Sequence, residues 1–280
     1  MKSVYFGKVS MLLGIASMAL VYSLTGCGNN TQTQQKNPAD PAGNTFDIST
    51  LTKIADTTLT DNKVSVFAQD SLTSKNETIY IQVTDLEGSP VTNAHLDYDV
   101  IMDMGMMSHG GPYYPLIDLA NGLFKAEVVF IMANMDDMGE GWMLHAVLNK
   151  KDSLSFLLPV SEAKPARTIP VGTKDDSQVF VSLLLPAEVK TGSQPIDFTL
   201  HKMDHNLFPV LDGYTVEIEP FMPDMGHGSP NNEAATSKGN GRYSGMVNFT
   251  MKGHWKIKVN LLKNGEKVSQ EELEFPVEVK

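Results

Sequence analysis

Cysteine is almost absent from this chain, since Cys27 is the only one among 280 residues. A single thiol excludes an internal disulfide and leaves no cysteine pair for redox chemistry. It also means that a soft metal ion would have to be bound through thioether sulfur rather than thiolate. Methionine, by contrast, is plentiful, with 16 residues.

Basic residues are also in short supply, with 22 lysines and arginines against 33 aspartates and glutamates, a net charge of −11. This balance argues against a nucleic-acid partner. The sequence lacks a phosphate-binding loop, a dinucleotide fingerprint, a zinc-protease motif and a nucleophile elbow. We therefore expect that the protein is not an enzyme.

The first 27 residues read as a targeting segment. Lys2 and Lys8 form a basic start, an apolar run covers residues 11–24, and the run ends at Cys27. The run is short for a membrane-spanning helix and is typical of a secretory signal peptide. Its end resembles a bacterial lipobox, which predicts lipidation at Cys27 and a lipid-anchored, extracytoplasmic protein of the bacterial cell envelope. The alternative is a plain signal peptide with an incidental cysteine.

The rest of the chain is predicted to be a tether followed by two related domains. Residues 28–46 are polar and contain Pro and Gly, as in a flexible tether. The segment around residues 162–167 separates a first domain, 47–163, from a second, 164–280. Asn121-Gly122 in the first matches Asn240-Gly241 in the second, and Trp142 matches Trp255. Two copies of domain size indicate a tandem duplication.

Both repeats read as β-structure, and no amphipathic helix follows the signal segment. Short runs rich in β-branched and aromatic residues are separated by turn signals such as Asn264-Gly265. The fold class is therefore all-β, with two tandem immunoglobulin-like β-sandwich domains and with Trp142 and Trp255 in the cores. The predicted strands cover residues 78–83, 128–132, 178–185, 214–219, 243–251 and 255–261.

The motif Met-x-x-Met-x-His occurs once in each repeat. The copies are Met104, Met107, His109 and Met222, Met225, His227, and Met102 and Met106 are spare donors in the first. Two thioethers and one imidazole in a Gly- and Pro-rich loop favour a copper site, most naturally Cu(I). The alternative is that these methionines cap the core. The pattern leaves open whether the loops bind separate ions or share one.

A second, weaker metal site is a further hypothesis. Strand alternation puts Met132 and Met251 on the apolar face of each repeat, at the far end of the sandwich from the Met/His loops unless the long loop folds back. The alternative is that these two methionines are core residues and that the other donors lie in solvated polar turns. That end would also gather an acidic, Met-rich hairpin and an alternating His-Met-His segment whose side chains share one face. Its candidate ligands are Met132, Met135, Met138, His201, Met203, His205, Met251 and His254.

The second repeat resembles the YtkA-like family, which is related to the FixH-like proteins. The residues that carry the resemblance are segments 221–228, 241–243 and 247–255, and the first repeat shows it more weakly. The resemblance implies a small immunoglobulin-like sandwich in the bacterial envelope, linked to copper handling or to the assembly of copper-containing respiratory complexes.

These patterns predict an envelope lipoprotein that binds copper through its Met/His loops, for sequestration or for delivery to a membrane acceptor. The membrane partner would be a copper-handling or respiratory complex. The alternative is a non-catalytic interaction module of an envelope complex without a metal role, because methionine also suits adaptable binding surfaces. A purely structural accessory lipoprotein is the third interpretation.

Overall fold

The computed structural model describes residues 47–135 and 141–280. The predicted signal peptide, lipidation site Cys27 and tether, and Met138, lie outside these residues. The described part is built from strands, with one 3-10 turn at Ile48–Thr50. None of its helices has the length and apolarity needed to cross a membrane.

Nine strands form the first sandwich. They are β1 Thr52–Thr58, β2 Lys63–Ala68, β3 Asn76–Thr84, β4 Leu96–Asp103, β5 Ser108–Gly110, β6 Ile117–Asp118, β7 Leu123–Val129, β8 Gly141–Leu148 and β9 Asp152–Leu158. One sheet has the order β1-β2-β3-β7-β6 and the other β5-β4-β8-β9. The named strands pair antiparallel, and the division between sheets is that of the immunoglobulin sandwich.

The second sandwich repeats this plan with one added strand pairing. Its strands are β10 Thr168–Gly172, β11 Gln178–Leu184, β12 Gly192–Lys202, β13 Thr215–Met222, β14 His227–Gly228, β15 Glu233–Gly239, β16 Arg242–Phe249, β17 Gly253–Lys263, β18 Glu266–Lys267 and β19 Leu273–Val279. β15 pairs with both β16 and β13, so the two sheets join into one. The all-β, tandem immunoglobulin-like prediction is confirmed.

Each sandwich has its own apolar core, because alternate residues of every main strand point inward. β17 shows the pattern clearly, with Trp255, Ile257, Val259 and Leu261 all buried. Trp142 and Trp255 are 0% and 1% exposed, so their predicted place in the cores is confirmed. They are the largest apolar side chains in the two cores.

The matched Asn-Gly pairs occupy the same structural position in both sandwiches. Gly122 and Gly241 have φ values of +66° and +67°, a conformation that favours glycine. The Gly122 carbonyl accepts a hydrogen bond from the amide of Val83 in β3 at 2.8 Å. The Gly241 carbonyl accepts one from the amide of Leu200 in β12 at 2.9 Å. The internal repeat is therefore seen in the backbone conformation as well as in the sequence.

Most predicted strands lie within observed ones, but two boundaries are wrong. The segment 128–132 was expected to be a strand, whereas β7 ends at Val129. β16 ends at Phe249, so Met251 does not continue its apolar face and is 36% exposed. β16 ends with the buried Phe249, whereas β7 ends one residue before the buried Phe130. In both repeats the chain then turns toward the strand that carries the tryptophan.

Candidate metal centre

The Met/His motif of the second sandwich is a short β-hairpin. Met222, the last residue of β13, lies directly opposite His227 in β14. The intervening turn is closed by hydrogen bonds from the Met225 and Gly226 amides to the Met222 carbonyl, at 3.2 and 2.9 Å. Residues directly opposite in an antiparallel pair share one face, so Met222 and His227 point the same way.

The ring of His227 is held in a tautomer that suits metal binding. Its Nδ1 lies 2.8 Å from the carbonyl oxygen of Gly228. A carbonyl only accepts hydrogen bonds, so Nδ1 must carry a proton, and in the neutral ring Nε2 keeps the lone pair. The ring packs edge-on against Trp255, with centroids 6.2 Å apart.

The hairpin and the turn before Trp255 carry three methionines. Met222 follows Phe221, which lies opposite Lys256 in the β13–β17 ladder, and it is 6% exposed. A Cβ built on Gly253 would lie only 2.7 Å from its Cε. The backbone carbonyl of Met251 accepts a hydrogen bond from Trp255 Nε1 at 3.0 Å. Met225 is 60% exposed at the turn. We call the end of each sandwich at which the hairpin histidine packs against the core tryptophan, His109 on Trp142 or His227 on Trp255, the Trp end.

The predicted position of Met251 is therefore wrong. It was placed at the far end from His227, yet both residues contact Trp255. Because β13 and β17 run antiparallel, the end of β13 meets the beginning of β17, and the loop before Trp255 lies beside the hairpin.

The first sandwich has the same Trp end but a different methionine in the hairpin. His109 lies opposite Met102, and Met102 lies opposite Trp142. Met102, not Met104, is thus the structural counterpart of Met222, because the first hairpin loop is longer. The ring of His109 packs edge-on against Trp142 at 5.8 Å, and its Nδ1 donates to the Gly110 carbonyl at 2.6 Å.

The structure does not bring Met104, Met107 and His109 together as the sequence predicts. Met104 is half-buried against the first core. Met107 is 67% exposed and lines a groove on the outer face of the sheet, together with Met143 and His145. His109 shares the inward face with Met102. The motif spacing is the same in both repeats. In the first hairpin, however, Met107 lies on the outer face while His109 lies on the inner face.

The two hairpins are too far apart to bind one shared ion. His109 lies at the junction of the sandwiches, with its ring 6.1 Å from that of Phe208, and the Gly110 amide donates to the Asn206 carbonyl at 3.3 Å. His227 lies at the other end of the second sandwich, beyond the eight residues of β13. A strand of this length spans roughly 25 Å. The hairpins therefore bind separately if they bind metal.

The predicted His-Met-His segment does not form a common face. β12 ends at Lys202, and His205 has a φ of +56°, so alternation stops after His201. His201 is fully buried, while Met203 is 39% exposed and the side chain of His205 is 95% exposed. The three side chains therefore do not converge.

His201 lies at the junction between the sandwiches. Its ring packs against Tyr114 at 5.4 Å, and neither ring nitrogen has a hydrogen-bond partner among the described residues. Burial lowers the pKa of His201 to about 4, with Glu127 raising it and Arg242 lowering it further. The imidazole is accordingly neutral at pH 7.

The remaining secondary candidates lie near the Trp ends. Met132 and Met135 are partly buried against the first core, and the Met132 carbonyl accepts from Trp142 Nε1 at 2.8 Å. The side chain of His254 is 80% exposed and contacts Glu278. Within residues 47–135 and 141–280, no group of three or more His, Cys, Asp or Glu side chains is arranged to hold a metal ion.

An ion pair that sequence reasoning missed joins the two sandwiches. Arg242 donates to both carboxylate oxygens of Glu127, at 3.0 and 2.6 Å, and its guanidinium lies 4.2 Å from the centre of the Tyr114 ring. Arg242 follows the Asn-Gly turn of the second repeat. No local pattern marks such a pair, because its partners are joined only by the packing of two domains.

Several solved structures resemble this chain at low sequence identity. The Escherichia coli adhesin FdeC is 16% identical, with 78% of this chain and 64% of that chain covered and a TM-score of 0.25. A conserved domain protein from Bacillus anthracis is 11% identical, with 82% and 92% covered and a TM-score of 0.30. The chain spans 64% of FdeC and 55% of the Yersinia pseudotuberculosis adhesin InvE.

Sequence comparison is more specific for the second half of the chain. No curated protein matches the sequence. The family model described as YtkA-like matches residues 173–260, which run from the start of the second sandwich through the Met222–His227 hairpin and into β17. YtkA-like is not an enzyme family. Over residues 173–260 the second sandwich is therefore similar to YtkA-like domains.

Proposed function

We propose that this protein is a copper-binding lipoprotein of the bacterial envelope that holds Cu(I) at the Trp end of its second sandwich. The observation that carries the proposal is that Met222 and His227 lie opposite each other in the hairpin, with the His227 ring against Trp255. Met225 lies in the turn of this hairpin, and the Met251 carbonyl accepts a hydrogen bond from Trp255, so both methionines belong to neighbouring segments. Imidazole and thioether are the uncharged, soft donors that suit Cu(I).

The chemistry of this donor set fits sequestration or delivery. Thioethers bind without losing a proton, and the hydrogen bond at Nδ1 of His227 leaves Nε2 as the atom that would bind the metal. Met225 and Met251 are 60% and 36% exposed, so a bound ion would be open to attack by the ligands of an acceptor. The ion would pass by ligand exchange to a membrane copper-handling or respiratory complex, with a lipid at Cys27 holding the protein near it.

The second sandwich offers a matched test of this site. We expect the M225L/H227F double variant to lose one equivalent of tight Cu(I) in an anaerobic titration of the full-length chain against a competing chelator. Leucine keeps the volume of methionine, and phenylalanine keeps the ring packing against Trp255, so only the donor atoms are removed.

The control for this test is M203L/H205F. It removes an exposed methionine and an exposed histidine at the other end of the same sandwich. We expect it to bind copper as the wild type does. Equal losses in both double variants would show that copper adsorbs to exposed donors in general, and the assignment to the hairpin would be wrong.

Two substitutions of Met222 distinguish a packing role from a role as a metal ligand. Because it is only 6% exposed, M222A should lower the free energy of unfolding by about 2–5 kcal/mol, whereas M222L should cost less than about 1.5 kcal/mol. If Met222 is a ligand, M222L will also weaken Cu(I) binding while leaving the urea unfolding curve nearly unchanged. An unchanged Cu(I) affinity in M222L would make Met222 a packing residue and leave Met225, Met251 and His227 as ligands.

A metal-free interaction module is the second candidate function. It is favoured by the exposure of Met106, Met107 and Met225 at the hairpin tips, at 99%, 67% and 60%. Flexible, polarizable methionines suit an adaptable contact with a partner complex. Binding of the membrane partner that persists after copper is chelated would support this function over the copper-binding one.

A further inference from the structure

A groove of about 370 Å³ lies on the outer face of the first sandwich, on the side of the sheet opposite to Trp142. It runs over the sheet β5-β4-β8-β9 and under the tip of the first hairpin. Its polar and sulfur-bearing lining residues are Asp103, Met106, Met107, Ser108, Met143 and His145. Three thioethers and one imidazole thus face a single solvent-accessible space.

Strand alternation explains why these donors share a face. In β8, Trp142 and Leu144 point into the core, so Met143 and His145 point outward. Asp103 ends β4 beside them and leads into the loop that carries Met106 and Met107. The loop folds over the outer end of the sheet, and this brings its thioethers to the outward side chains of β8.

The imidazole of His145 is positioned by its neighbours. Its Nδ1 lies 2.8 Å from the Ser155 hydroxyl in β9, which leaves Nε2 for a metal ion in the tautomer whose Nδ1 donates. Asp99 lies directly opposite His145 in β4, and its Oδ1 is buried without a hydrogen-bond partner among the described residues. A carboxylate next to the imidazole adds negative potential, which favours a cation in the groove.

The second sandwich shows that the fold itself does not require these donors. Trp142 corresponds to Trp255, so Met143 and His145 correspond to Lys256 and Lys258. Lys256 pairs with Glu274 at 2.6 Å, and Lys258 pairs with Glu272 at 3.3 Å. The same outer face therefore carries cations in ion pairs in one repeat and neutral soft donors in the other.

We propose that this groove is a second Cu(I) site, with His145 and Met143 as ligands from the sheet and Met107, with Met106 in reserve, as the thioether from the loop. The proposal rests on the copper-binding function proposed above and reassigns Met107 from His109 to His145. Neutral nitrogen and sulfur donors at a solvent-accessible surface favour a soft monovalent ion over Zn²⁺ or Mg²⁺. The lysine-bearing face of the second sandwich has no such site.

The test is an anaerobic Cu(I) titration of the full-length chain against a competing chelator. We expect the M143L/H145F variant to lose one equivalent, M225L/H227F to lose a different one, and the combined variant to lose both. M107L should weaken the groove site by at least about tenfold. H109F should leave the groove unchanged, since His109 points to the opposite face.

The outcomes separate the two proposals. If M143L/H145F binds as much Cu(I) as the wild type while M225L/H227F loses an equivalent, the groove assignment is overturned and the proposed function stands. If the wild type binds none, the proposed function fails. If H109F loses as much Cu(I) affinity as M107L, Met107 binds copper together with His109 in the hairpin and not in the groove. If M143L/H145F unfolds, the test is the methyl NMR spectrum of the wild type. Cu(I) should shift the methyl signals of Met106, Met107 and Met143, and unshifted signals would overturn the assignment of the groove as a Cu(I) site.

Discussion

Replacing Gly241 with alanine should destabilise the second sandwich by about 3 kcal/mol or more. Gly241 has a φ of +67°, and a Cβ there would lie 2.8 Å from the Leu200 carbonyl oxygen and 2.9 Å from Val210 Cβ. The left-handed conformation costs an alanine roughly 1–2 kcal/mol. The rest comes from overlap with backbone that is fixed by the sheet.

Gly226 provides a matched control within the same sandwich. Its φ is +68°, and a Cβ there would meet nothing within 4 Å. G226A should therefore show only the backbone cost, roughly 1–2 kcal/mol. The two variants are compared by urea unfolding of the full-length chain. Equal losses would mean that the close approach of Leu200 and Val210 does not contribute, and that the turn packs more loosely than the structure shows.

The second large effect is a loss of stability in acid caused by His201. Burial lowers its folded-state pKa to about 4, below the ordinary 6.5 that applies when the chain is unfolded. Between these values the unfolded chain binds the proton and the folded one does not, so stability falls as the pH drops from 6.5 toward 4. A shift of this size corresponds to about 3 kcal/mol.

The H201F variant isolates this contribution. Phenylalanine keeps the edge contact with Tyr114 and removes two ring nitrogens that have no partner in the described residues. At pH 7 we expect wild-type stability or slightly more, because no unpaired buried nitrogen remains. At pH 4 the variant should be more stable than the wild type by about 3 kcal/mol. Parallel pH profiles of the two proteins would show that His201 is not buried in solution.

Much of the fold follows from local patterns in the sequence. Alternation places Trp142 and Trp255 in the cores, and Asn-Gly turns locate Gly122 and Gly241 at equivalent corners. These signals are local because a strand's inward face and a turn's φ depend on a few neighbouring residues. The tandem repeat strengthens them, since each pattern is seen twice.

The candidate sites were harder to predict because they depend on which strand ends meet. The motif alignment paired Met104 with Met222, but cross-strand register pairs Met102 with His109. Met251 joins His227 only through the antiparallel pairing of β13 and β17. The groove combines a hairpin tip with Met143 of a distant strand. Periodicity within one strand contains no information about these partners.

Both proposed sites depend on Cu(I) binding through thioether and imidazole ligands. Anaerobic titration of the full-length protein in detergent, followed by copper X-ray absorption, tests it most directly. We expect two tight equivalents in competition with the chelator, each with mixed sulfur and nitrogen scatterers around the copper. Copper that is lost entirely to the chelator, or that is bound by oxygen and nitrogen alone, would contradict this expectation.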